Sequence, residues 1–163
     1  MQSQGRKTAF LAISVTLGLI LSYVEALIPV FAGVPGMKIG LSNILVVFLL
    51  YKYGTIEALT VNVLRIIIAG ILFGNPFSIV YSLAGAFLSM AGMVTLKKTD
   101  VLSVYGVSMA GGMLHNMGQI FVAAFIVENY HIYLYLPVLI VTGCVTGLFV
   151  GFIGVVLIKR VYD

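Results

Sequence analysis

A chain of 163 residues that is 61% hydrophobic and only 9% charged, with a mean hydropathy of +1.17, has too little polar surface to clothe a soluble globule, since soluble domains carry about 25% charged residues. Its solvent is lipid. The net charge of +4 calls for no nucleic acid and reads as a topology signal with some affinity for anionic headgroups, while the single Cys144 excludes an intrachain disulfide and is too little for a zinc or iron–sulfur site.

Arg6 and Lys7 precede an apolar run that superficially resembles a secretory leader. The run continues for about twenty residues with no small-residue cleavage site after it, so a retained first span is expected. Charges and turn residues then divide the chain into six apolar stretches, roughly 8–28, 39–53, 56–73, 77–96, 104–127 and 135–158. The expected architecture is all-α: one domain over 1–163, an integral membrane bundle of six transmembrane helices. About twenty residues at 1.5 Å each cross the hydrocarbon core, so the second stretch is short and is expected to tilt little or to begin deeper than it appears, since a short segment thins the bilayer or is sheltered by its neighbours. Between the first two stretches, Pro29, Phe31, Gly33, Pro35, Gly36 and Lys38 form an apolar loop full of helix breakers. It reads either as a lid or re-entrant cap over a polar cavity or as a simple interfacial turn.

Six spans place both termini on one side. Arg6, Lys7, Lys52, Lys97, Lys98, Lys159 and Arg160 then fall on that side and only Lys38 on the other, with Arg65 inside a span. This bias predicts cytoplasmic termini and a multi-pass protein of the cytoplasmic membrane. Tyr51, Tyr53, Tyr105 and Tyr162 at one interface and Tyr130, Tyr133 and Tyr135 at the other suit the same plan.

Small residues recur on helix faces: Ser14, Gly18, Ser22 and Ala26 in the first span, Ser78, Ser82, Gly85, Ser89 and Gly92 in the fourth, and Gly143, Gly147, Gly151 and Gly154 in the sixth. Such seams let backbones approach where no hydrophobic effect drives helices together. They predict close intramolecular packing, with the first seam also a candidate docking face.

Arg65 stands near the middle of the third span, where a charge costs at least ~2.5 kcal/mol on insertion scales. Three arrangements would compensate it: an ion pair with Glu25, bonds to helix carbonyls, or an anionic substrate group received by its planar fork, with Asn62 one turn earlier sharing its surroundings. In the fifth span Ser108, Gly111, Gly112, His115, Asn116 and Gln119 make a polar stripe that must face protein or a cavity, and the last three place several donors and acceptors within about one turn.

Enzyme classes fail for want of residues. No Gly-rich loop ending in Gly-Lys-Ser/Thr is present, so ATP hydrolysis is not expected. The only aspartates, Asp100 and Asp163, cannot form a magnesium cluster for diphosphate chemistry. His115 and His131 fall at different depths and do not suit a bis-histidine haem. No metal, cofactor or catalytic residue is assigned, and the chain is not expected to be a catalyst on its own.

The segments Lys38-Ile39-Gly40-Leu41-Ser42-Asn43, Asn62-Val63-Leu64-Arg65, Phe77 to Gly85, and above all Gly112-Met113-Leu114-His115-Asn116-Met117-Gly118-Gln119 resemble the small membrane proteins known as heptaprenyl diphosphate synthase component I, or the Gx transporter family. That family in turn resembles the substrate-binding S components of energy-coupling factor transporters. The resemblance implies six helices, a first outer loop that caps the ligand, and a pocket near the outer leaflet. In S components an Ala-xxx-Ala pattern on the first helix docks the coupling subunit; here Ala12-xxx-Thr16 and the Ser14 seam stand in its place. The synthase name implies a non-catalytic role beside a prenyltransferase, and other relatives resemble membrane subunits of quinone- or flavin-linked extracellular electron transfer.

The expected function is therefore capture or transport of a small anionic or isoprenoid-like ligand from the outer side. Its expected binding residues are Arg65, Asn62, His115, Asn116, Gln119, Lys38 and Asn43, its partners membrane lipid, the ligand, and an energy-coupling module or a prenyltransferase or redox subunit. A non-catalytic membrane subunit of prenyl-quinone synthesis or electron transfer is the alternative.

Overall fold

A computed structural model describes residues 4–28 and 39–162, and all its regular elements are helical. They are α1 (Gln4–Leu27), α2 (Asn43–Lys52), α3 (Thr55–Phe73), α4 (Pro76–Thr99), α5 (Val104–Val127), a 3-10 turn at Tyr130–Tyr135, and α6 (Leu136–Tyr162). Of the six α-helices, all except α2 are long and apolar enough to cross a bilayer. The expected lid over 29–38 lies outside the described residues.

The second expected span, 39–53, is realised differently. Helix begins only at Asn43, because Gly40 takes a left-handed φ of 79° that turns the chain just before it. Ten residues at 1.5 Å make about 15 Å, half the hydrocarbon thickness. This stub survives because the bundle surrounds it. Every residue from Ile44 to Leu50 is buried, so its unbroken apolar run marks a core helix enclosed by protein. It lies among α1, α3 and α6.

Helices α2, α3, α4, α5 and α6 pack in a closed ring, each against the next, while α1 leans on α3 and touches α2 from outside. Over the apolar core around α2, polar residues are drawn inward and large apolar ones are left outside. Ser14, Ser42, Asn62, Arg65, Ser89, Ser108 and Gln119 are buried, whereas Ile56, Ile71, Phe125 and Phe152 lie more than half exposed. Only a solvent that favours apolar atoms makes that distribution stable.

The glycine seams of α4, α5 and α6 set how closely these helices approach. A Cβ on Gly112 would stand 2.2 Å from the carbonyl oxygen of Gly143, and one on Gly147 2.6 Å from that of Ser108. On the other side of α5, a Cβ on Gly118 would meet the Ala84 carbonyl at 2.8 Å. The seams are thus spent on packing within the chain. Ser108 Oγ adds a donated bond to Gly147 O at 2.7 Å.

The α1 seam also faces inward, against its reading as a docking face: Ser14 and Gly18 are buried, and Gly18 leaves room for the stem of Arg65. Ala12 and Thr16 lie on the exposed side.

One end of the bundle gathers basic groups. Lys7 pairs with Glu57 at the start of α3, and Lys97 Nζ donates to Leu50 O at 2.6 Å while lying 4.7 Å from the centre of the Tyr51 ring. The opposite end carries the tight α3–α4 connection at Gly74 and Asn75. There Asn75 Oδ1 accepts from Ser78 N at 2.8 Å and Ser78 Oγ accepts from Asn75 N at 3.1 Å, a reciprocal cap followed by Pro76 in the first turn. Asn75→Ala is expected to cost about 1 kcal/mol, read as a modest fall in thermal midpoint in detergent; no fall at all would show that the cap is redundant.

Candidate functional site

A cavity of about 200 Å³ opens among the upper halves of the helices, at the end that carries Gly74. α1 contributes Ser22 and Glu25, the start of α2 Gly40, Ser42 and Asn43, and α3 Arg65; Ser78 and Ser82 come from α4, His115, Asn116 and Gln119 from α5, and Thr146 from α6. Six helices converge on one polar space inside a lipid-facing bundle.

Arg65 occupies the middle of α3 with 8% of its surface exposed. Its guanidinium is held by neutral oxygens. Nη1 donates to Ser42 Oγ at 2.6 Å and Ser22 Oγ at 3.1 Å, and Nη2 to Asn62 Oδ1 at 2.5 Å and Asn43 Oδ1 at 3.4 Å; Nε is buried with no partner among the described residues. The expected alternatives of an ion pair with Glu25 or bonds to helix carbonyls are both corrected. The Glu25 carboxylate instead accepts the backbone N–H of Gly40, and among the described residues the ion pair within 4 Å is Lys7–Glu57. Hydroxyl and amide dipoles orient the Arg65 fork, and no countercharge lies within 4 Å among the described residues, so its positive field is left in the cavity, tempered by Glu25 at longer range.

The four bonds fall into two classes. Ser42 and Asn62, themselves 2% and 3% exposed, make the two short bonds and fix the fork from behind. Ser22 and Asn43 make the two long ones and are less buried. The long bonds are those an incoming anionic oxygen replaces at least cost.

The other expected residues divide similarly. His115 and Gln119 line the cavity, and Gly85 supports them from α4: a Cβ there would meet His115 O at 2.6 Å and Gln119 Cγ at 2.8 Å. Asn116 lines it too, but its Nδ2 donates to Leu139 O at 2.7 Å, so part of its capacity ties α5 to α6. Asn62 is not on the main wall. It stands behind Arg65 and borders a small adjoining space of about 30 Å³ with Ser89, Ser108 and His115, room for a water or two. Lys38 lies outside the described residues. Ser22, Ser42, Ser78, Ser82 and Thr146 belong to the wall without having been expected as binding residues; for Ser22, Ser78 and Ser82 the signal was their place in a seam, for Ser42 its neighbour Asn43.

The fold, with a polar cavity among its apolar helices, defines a multi-pass helical membrane protein. A family model described as heptaprenyl diphosphate synthase component I matches residues 14–157, and the chain belongs to that family. Searches of curated proteins and of solved structures return no match.

Proposed function

We propose that the protein captures a small anionic or isoprenoid-like molecule from the outer side of the cytoplasmic membrane, in the manner of a transporter's substrate-binding component. The observation that carries this reading is Arg65, a buried cation fixed by four neutral oxygens beside an open cavity. A protein that needed the arginine only for structure would pair it, because an uncompensated charge in a membrane interior is costly. The basic residues at the end away from the cavity favour cytoplasmic termini and a mouth facing outward.

Mass spectrometry of protein extracted in mild detergent is expected to find such a molecule, and His115→Ala to reduce its retention about tenfold, the worth of one charge-assisted bond. Retention unchanged in that variant would overturn the assignment of His115.

The family description favours a second reading, a non-catalytic membrane component working beside a synthase or redox subunit. It expects a second subunit to co-purify, and a protein that isolates alone with its ligand counts against it.

A further inference from the structure

Beside the polar cavity lies a larger apolar groove of about 460 Å³, between the outer parts of α4 and α5 and the 3-10 turn. Tyr81, Ile120, Ala123, Ile132 and Leu139 line it, and Val127 and Tyr135, both exposed, stand on its wall. The two spaces adjoin: Ser78, Ser82 and Gln119 belong to the walls of both.

Gln119 marks the junction. Only 9% of its surface is exposed, and it lines both spaces. A glutamine amide in a membrane interior needs polar company, and this side chain lies against α4 where Gly85 leaves room for it, a Cβ there standing 2.8 Å from its Cγ. It offers both a donor and an acceptor at the point where the surroundings change from polar to apolar.

We propose that the ligand is a single-chain amphiphile. Its anionic head lies by Arg65, an oxygen at the head-to-chain junction bonds the Gln119 amide, and its apolar chain lies in the groove between α4 and α5. This rests on the capture function proposed above and adds the chemical class. It also gives the outer halves of α4 and α5 a part in recognition, with the chain reaching the site from the lipid side.

The test uses the full chain in phosphatidylcholine nanodiscs and four probes: dodecyl phosphate, dodecanoate, inorganic phosphate and dodecanol. Saturable binding of one or both anionic amphiphiles, at least about tenfold tighter than either the head or the chain alone, is the expected result. Ala123→Trp, which fills the groove, should weaken that binding about tenfold while leaving inorganic phosphate unaffected. Tyr81→Ala enlarges the groove and should move the preferred chain length upward, which keeps the proposal testable if the tryptophan variant does not fold. Inorganic phosphate binding as tightly as dodecyl phosphate, with neither groove variant having an effect, would overturn the amphiphile while leaving anion capture standing. No anionic probe binding at all would remove both.

Discussion

Replacing Arg65 with methionine is expected to abolish ligand retention while leaving the bundle at least as stable as before. The two halves follow from one geometry. Hydrogen bonds to a charged group contribute roughly 1.5–3 kcal/mol each, so losing the cation lowers affinity by about ten- to a hundredfold or more. The same cation has no countercharge within 4 Å among the described residues, and removing it relieves a desolvation penalty of roughly several kcal/mol for a buried ion. Ser22 and Ser42 can turn their hydroxyls elsewhere, and Asn62 borders the small adjoining space where a water can replace its partner. Arg65→Lys should fall between: it keeps the charge but cannot reach Ser42 and Asn62 with a planar fork. Thermal unfolding and ligand retention measured on the same preparations check both halves. A large loss of stability in the methionine variant would show Arg65 to be structural.

The second large effect is expected on α5, at Gly112. A single added methyl there would stand 2.2 Å from Gly143 O and 3.3 Å from Gly147 Cα, and neither backbone can step aside without parting α5 from α6. Overpacking of this kind costs about 1–3 kcal/mol or more, so Gly112→Ala should lower the thermal midpoint by roughly 6–12 °C at the upper end of that range, on the scale for chains of this size. Gly5→Ala supplies the contrast, since nothing lies within 4 Å of that position and the helix gains intrinsic propensity. Equal midpoints in the two variants would mean that the seam is looser than it stands here.

Much of this arrangement was legible in the sequence, for reasons that can be stated. Hydrocarbon allows a buried polar group only where it faces protein or a cavity, so Arg65 and the His115 to Gln119 stripe had to turn inward, and both reach the same space. The seams were readable because a glycine every fourth residue admits a neighbouring backbone. What escaped is whatever depends on which helix stands opposite. Periodicity places Ser22 on a face of α1 but does not say that Arg65 lies across from it, and Glu25 seemed the natural partner by charge although its carboxylate is engaged by Gly40. The second stretch read as short, but its full enclosure was hidden, since a run as apolar as Ile44 to Leu50 reads alike for a lipid-facing span and an enclosed stub. The groove beside Gln119 depends on how far α4 and α5 part near the 3-10 turn, a distance no residue pattern encodes.

The most direct measurement is a crystal structure grown from a lipid mesophase with whatever the protein carries from the membrane left in place. It is expected to show a guest in the space beside α2, with an oxygen about 2.7–2.9 Å from the Arg65 guanidinium and the Ser22 or Asn43 bond displaced. An Arg65 side chain turned outward among acyl chains, or side chains closed solidly over the space between Arg65 and His115, would contradict it.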